Sequence, residues 1–304
     1  MLPEPLNTIK QKPLQSLYIG GALLLVLGGW LWWAKVGTNP RRVFWETVSQ
    51  SLSTSAVTIQ ATQTNGAASL KQTVQYSLGP NSASHTVTVL KQSGTTVVDE
   101  LVGTPTADYT RYLNVQTDQK TKSGKPLNFQ GIIGQWAKND AATAKPQLLG
   151  QSVLGTGLPI GGVALPIGNL PAANRAKLIK EIKDDVVYQV DYASAKKQTV
   201  AGRGQYVYDV TVQPVSYAAL MQRFAQLTGL HELDGLDPAS FKGQPALKMQ
   251  LTVDIRAHHV VAAVASTNGA KQTYTSYDVP VAIAVPKQAI SVQELQSRLS
   301  RLQQ

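Results

Sequence analysis

The stretch Leu17–Ala34, LYIGGALLLVLGGWLWWA, constrains this chain more than any other, because it holds no charge and no strongly polar side chain. A helix that is apolar all round has no solvated face and must be wrapped in protein or in lipid. At about 1.5 Å per residue the run covers about 27 Å, close to the hydrocarbon thickness of a bilayer. Leu17, Leu23, Leu24, Leu25, Val26 and Leu27 supply its surface. Tyr18 stands at one end and Trp30, Trp32 and Trp33 at the other, where amphipathic rings favour the lipid–water boundary. A cleaved leader has a shorter apolar run of about 7–15 residues and a small-residue cleavage site. WLWWAKV offers no such site, so the expectation is an uncleaved transmembrane signal anchor over 17–34, behind a short cytoplasmic tail, 1–16.

Lys10 and Lys12 precede the run, and Lys35, Arg41 and Arg42 follow it, so flanking charge barely orients it. The remainder breaks the tie. It is rich in Thr, Gln and Ser, and the chain has no cysteine, which excludes disulfides, thiolate metal sites, a cysteine nucleophile and a lipidated cysteine. That composition places the large domain outside the cytoplasm, on a single-pass protein of the cell membrane. The formal net charge of +10 suits an anionic wall polymer or membrane component. The basic residues are scattered, with no run longer than Arg41–Arg42 or Lys196–Lys197, so no nucleic acid is expected as a partner.

Beyond the apolar run, Asn39-Pro40 reads as a helix start, and Phe44, Val48 and Leu52 recur on one face of a juxtamembrane helix within 35–54. From Ser55 the period falls to two. Val57, Ile59 and Ala61 alternate with Thr58, Gln60 and Thr62, and similar strands follow to Val115, broken by Gly-, Pro- and Asn-bearing turns. Phe129, Ile132, Ile133 and Trp136 fall at helical spacing. Leu170-Pro171 opens a helix carrying Leu178, Ile179 and Ile182; another holds Tyr217, Leu220, Phe224 and Leu227. Strands are expected around 188–192, 206–212, 247–255, 259–266 and 272–285, and Ser291–Glu294 is a capping box that opens a C-terminal amphipathic helix within 287–304. One β-rich domain over 55–286 fits this pattern better than two.

The segments FWETVSQSLSTSAVTIQA (44–61), VVYQVDYA (186–193), LKMQLTVDIRAHHVVAAV (247–264) and YTSYDVPVAIAVP (274–286) stand in an order that resembles the lipoprotein-carrier superfamily of LolA- and LppX-like proteins. The resemblance covers most of 40–286. It implies an incompletely closed, strongly curved sheet around helices, with an apolar cavity for acyl chains. A helical tether departs from that family, and no family binding residue can be placed by motif. With the pattern of elements, the expected fold class is α+β: an N-terminal transmembrane helix, then a curved, mostly antiparallel sheet with helices on its concave side.

Residues 148–170, LLGQSVLGTGLPIGGVALPIGNL, are uncharged and broken by Gly and Pro. Leu148, Leu149, Val153, Leu154, Leu158, Ile160, Val163, Leu165 and Ile167 are therefore the candidate ligand-binding residues of an apolar flap, the alternative being an irregular buried core segment. Burying each such side chain is worth about 1.5–3 kcal/mol, so leaving them all in water is excluded. Chemistry-bearing patterns are weak. The glycines at 155, 157 and 161 lack dinucleotide-binding spacing, and the 150–155 pair lacks a phosphate-binding Lys-Ser/Thr. Ser194-x-x-Lys197 follows a strand rather than opening a helix. His85, His231, His258 and His259 form no metal-binding pattern. Glu232, Asp234 and Asp237 do not match a calcium loop, and Asp184-Asp185 reads as a helix end. No catalytic residue, metal or cofactor is expected. The reading is a non-enzymatic envelope protein that shelters a lipid or lipoprotein chain beside the membrane bilayer. The alternative is an interaction module that binds another envelope component. The sequence sets no oligomeric state.

Overall fold

The computed structural model describes residues 37–79, 82–140, 165–228, 236–266 and 269–302. Helix α1 (Pro40–Ser51) starts where Asn39 accepts hydrogen bonds from the amides of Arg41 and Arg42 at 3.0 and 3.3 Å, with Pro40 in the first turn. The chain then folds back and forth through β1 (Ala56–Asn65), β2 (Ala68–Ser77), β3 (Ala83–Gln92), β4 (Thr95–Gly103) and β5 (Ala107–Gln116). Ser93 and Gly94, both at positive φ, make the tight β3–β4 turn whose twist suits a hairpin. There follow β6 (Ala137–Asp140), α2 (Ala172–Asp184), β7 (Tyr188–Val190), β8 (Lys196–Val200), β9 (Arg203–Val212) and α3 (Pro214–Thr228). The last elements are β10 (Leu247–Asp254), β11 (Val260–Ala265), β12 (Lys271–Thr275), β13 (Ile290–Ser291) and α4 (Val292–Leu302).

All thirteen strands join one curved sheet in the order β13-β6-β5-β4-β3-β2-β1-β12-β11-β10-β9-β7, with β8 also paired to β9. Alternation divides each strand between an inner face and an outer one. The inner residues of β1, β2 and β9–β12 form the main core with α1, α2 and α3. Phe44, Ile59, Tyr208, Leu251, Leu178 and Phe224 are among its fully buried members. The Tyr206 and Tyr208 hydroxyls donate to the carbonyls of Thr38 and Pro40, pinning the start of α1 across β9. A second, smaller core gathers Ile132, Ala137 and Leu295 at the far edge, with Tyr112, Phe129 and Leu299 packed on it.

Three expectations are corrected. The sheet is mixed, because β13 runs parallel to β6 and brings α4 onto the second core, apart from the other three helices. No helix among the described residues is long and apolar enough to cross a membrane, so the fold described is a large curved mixed sheet with four helices, without the transmembrane element expected at its head. The anchor residues between Leu17 and Trp33 lie outside the described residues. Phe129–Trp136 is a turn rather than a helix. Gly134 adopts φ +77°, and its amide leaves the helical path to donate to the Tyr112 carbonyl at 2.8 Å.

The expected strand over 272–285 also stops at Thr275. Pro280 and Pro286 remove ladder donors. Residues 276–289 instead cross the sheet to reach β13, seven inter-strand steps of about 4.8 Å, or about 34 Å. An extended chain of that length reaches about 46 Å, so the strap makes the crossing with slack for the turn at its start, where the Val279 amide donates to the Ser276 carbonyl.

Candidate functional site

Strands β3 and β4 pass between the two cores, and no inner side chain of either strand belongs to one or the other among the described residues. Their inner positions are nevertheless apolar in part. Leu90 faces inward in register with Leu70 on β2 and Val97 on β4, and Val97 pairs with Val115 on β5. Leu101 lies on the same face, between Thr86 and Thr110. These side chains are half-buried, and Leu90 keeps 38% of its surface exposed. An inner face that carries leucine and valine without closing over them is the feature that sets this stretch apart from the rest of the sheet.

One cross-strand row there is polar. Gln72, Thr88, Asp99 and Tyr112 stand opposite one another on β2, β3, β4 and β5. The Gln72 side-chain amide donates to the Thr88 hydroxyl oxygen at 3.4 Å, and Thr88 hydrogen-bonds the Asp99 carboxylate. Burial raises the Asp99 carboxyl above its ordinary range, against the pull of the Thr88 bond. Burial likewise raises the Tyr112 phenol, helped by the nearby Asp99 charge. Gln72 is 7% exposed, and its carbonyl oxygen has no hydrogen-bond partner. The buried Tyr76 hydroxyl, two inward positions along β2, also lacks one.

The outer face of the same strands holds a second cluster beneath the strap. Residues Ala282–Pro286 roof a cavity of about 340 Å³ over Gln75, His85, Glu100, Arg111 and Trp136. His85 Nε2 lies 2.7 Å from Glu100, Arg111 grips the other carboxylate oxygen, and the guanidinium sits 4.5 Å from the Trp136 ring centroid. Burial alone would raise Glu100, yet its bonds to His85 and Arg111 outweigh that and hold it below the usual carboxylate range. This is a satisfied ion cluster with no nucleophile in it.

The flap residues divide. Leu148, Leu149, Val153, Leu154, Leu158, Ile160 and Val163 lie outside the described residues. Leu165 and Ile167 are described, and both belong to the main core, Leu165 at 1% exposure. They are fixed there: the Ser51 hydroxyl donates to the Pro166 carbonyl at 2.7 Å, and the Gly168 and Leu170 amides donate to Ser51 and Leu52.

Ser194 donates its hydroxyl to the Asp191 carbonyl, and Lys197 sits on the exposed strand β8, so no acylase-like pair forms. Asp184 pairs with Lys180 on α2, and Asp237 caps a short 3-10 turn, Pro238–Phe241. His259 stacks on Tyr277 with centroids 4.0 Å apart. His231, Glu232 and Asp234 lie outside the described residues. Among the described residues no group of three metal-ligating side chains converges. Neither the polar row nor the His85–Glu100–Arg111 cluster was singled out from sequence. The available signal was TTVVDELV (95–102), a strand with valine on both faces and two adjacent acids, which asks for cover and partners on both sides.

No family model matches the chain, and no curated protein matches it. Among solved structures it is similar to the Mycobacterium tuberculosis lipoprotein LppX, at 12% identity and a TM-score of 0.34, covering 82% of this chain and 98% of that one. A likeness of that degree assigns neither ligand nor site. Those have to come from the residues themselves.

Proposed function

We propose that this chain is a binding domain for an apolar ligand, the acyl chain of a lipid or lipoprotein, seated on the inner face of β3 and β4 and bound without chemical change. The supporting observation is the stretch of sheet between the two cores, where Leu70, Leu90, Val97, Leu101 and Val115 face inward and stay partly open. Completing the burial of one such side chain is worth up to about 1.5–3 kcal/mol, so a hydrocarbon laid along that row gains several such increments. The cysteine-free, Thr- and Gln-rich composition supports a place in the cell envelope, outside the cytoplasm. Protease protection of the domain in spheroplasts would argue against that placement.

A fluorescent fatty acid titrated into the full-length protein tests the ligand reading. Saturable binding displaced by oleate is expected. Val97→Lys, on the inner face, should weaken it at least tenfold, whereas Thr96→Lys, one residue away on the outer face, should leave it unchanged. Equal effects at the two positions would refute the assignment to this face.

The outer face supports a second reading. Lys71 and Lys271 flank Thr62 in register, all three exposed, on a surface otherwise of Thr and Gln. An anionic envelope polymer fits that surface, and its binding would weaken steeply with salt.

A further inference from the structure

Charge is sorted between the two faces of β1–β6. Lys71, Lys91, Arg111 and Lys138 are the lysines and arginines of these strands, and all stand on the outer face, at positions that alternate with the inner ones. Among the described residues the inner face of β1–β6 carries no lysine or arginine, although the chain bears a formal net charge of +10. Asp99 and Asp108 are the acids on that face, and Asp108 is closed off at 5% exposure. Asp99 is half-buried and keeps open surface. Along β4 it stands between Val97 and Leu101, two apolar residues of the proposed ligand face. Across the sheet its neighbours are Thr88 and Tyr112, both neutral. Among the described residues Asp99 makes no ion pair, and Arg298, on the inner helix α4, is taken by Glu294. The β4–β5 register shifts between Val98 and Asp99, a bulge that leaves Leu113 of β5 unpaired. Bulges sharpen the local twist and re-aim side chains beside functional sites. A carboxylate has about four lone-pair sites, more than the Thr88 hydroxyl can fill. Setting such a group among apolar side chains costs stability unless it is paired, and this face supplies no cation of its own.

We infer that the amphiphile seated on β3 and β4 carries an ammonium group, held against the Asp99 carboxylate while its hydrocarbon lies along Leu90, Val97 and Leu101. The face thereby prefers amine-bearing amphiphiles over neutral ones, and neutral ones over carboxylates, whose charge Asp99 repels. This inference rests on the apolar-ligand reading above and adds the sign of the ligand's head to it.

The test is isothermal titration calorimetry of the full-length protein with decylamine, decanol and decanoate, three heads on one chain. Decylamine should bind about tenfold tighter than decanol, the worth of one charge-assisted hydrogen bond, and decanoate should bind weakest. Asp99→Asn, of the same shape, should bring decylamine level with decanol and strengthen decanoate. Thr88→Lys, which sets a cation beside Asp99 from the neighbouring strand, should remove the decylamine preference as well, with the melting temperature of each variant reporting that it is folded. Lysophosphatidylethanolamine binding tighter than lysophosphatidylglycerol of the same acyl chain, with the difference lost in Asp99→Asn, would assign the ammonium to a phospholipid head. A preference confined to decylamine would assign it to a free amine, and either result upholds the inference. Equal affinity for the three decyl ligands, or a decylamine preference that survives Asp99→Asn, would overturn it and leave the apolar-ligand reading standing. No binding by any of them would overturn that reading, and the ammonium with it.

Discussion

Replacing Gly168 by alanine separates two accounts of the glycine-rich segment by the sign of the effect. If Gly168 served as a hinge, Ala would remove freedom from the unfolded chain and stabilise by about 0.4–1 kcal/mol, since its backbone is not at positive φ. The packing says the opposite. A Cβ at 168 would stand 2.6 Å from Cζ and 2.7 Å from Cε2 of Phe224. Carbon atoms rest about 3.5–4.0 Å apart, so one side must give by about 1 Å. Phe224 is a rigid ring at 1% exposure in the main core. The backbone of 166–170 is held to the end of α1 by the Ser51, Gly168 and Leu170 hydrogen bonds. Overpacking of this kind costs about 1–3 kcal/mol, which outweighs the entropic gain. Urea unfolding should therefore show Gly168→Ala destabilised by about 1–2 kcal/mol at an unchanged m-value. Phe224→Leu, which shortens the ring's reach, should make the second substitution cheaper, with a coupling above about 1 kcal/mol in the double-mutant cycle. A neutral or stabilised Gly168→Ala would refute this packing and restore the hinge.

Asp99→Asn should stabilise the protein at neutral pH. The folded state holds the Asp99 carboxyl raised, so it binds a proton more readily than the unfolded chain, and stability from this group falls as pH climbs through the interval between the two values; melts of the variant should lose that part of the pH dependence. Glu100 has the opposite sign, held low in the fold, so its contribution is present above the ordinary carboxylate value and lost on acidification. Glu100→Gln should cost about 1–3 kcal/mol at neutral pH, the range for bonds to a charged group, and a melting temperature equal to wild type would contradict it. Gln72→Leu without ligand should leave the melting temperature unchanged or raise it, by up to about 1 kcal/mol of stability, since it removes an unpaired buried acceptor. Asn39→Ala should cost about 1 kcal/mol in urea melts through the lost cap on α1.

Local pattern carried much of the fold. Met249, Leu251 and Val253 are buried while Lys248 and Gln250 are exposed, as their alternation requires. The Ser291 hydroxyl accepts from the Glu294 amide at 3.1 Å, as the capping box predicts. Each failure has its own physical cause. VAIAV (281–285) alternates like a strand, but its two flanking prolines, Pro280 and Pro286, and the distance it must cover send it over the sheet instead of into it. The spacing of Phe129, Ile132 and Ile133 is helical, yet Gly131 and Gly134 bracket too short a run to propagate. The polar row could not be seen because Gln72, Thr88, Asp99 and Tyr112 become neighbours only through the register of three hairpins, each residue alone reading as ordinary strand polarity. Leu165 stood in a stretch without period, so nothing local distinguished a core residue from a flap.

The partner of β1 on its far side has a cost in time. Ser55, just before β1, is bonded to Asp278, just after β12, across 223 residues. At about 5–20 residues per second of synthesis, β1 waits on the order of 10–40 s for its second neighbour to leave the ribosome. Throughout that interval the chain offers an unpaired strand edge beginning Ala-Val-Thr-Ile, the kind of edge that recruits other nascent chains. Covering the first hairpins until residue 275 emerges would shield that edge, whatever the mature protein comes to hold.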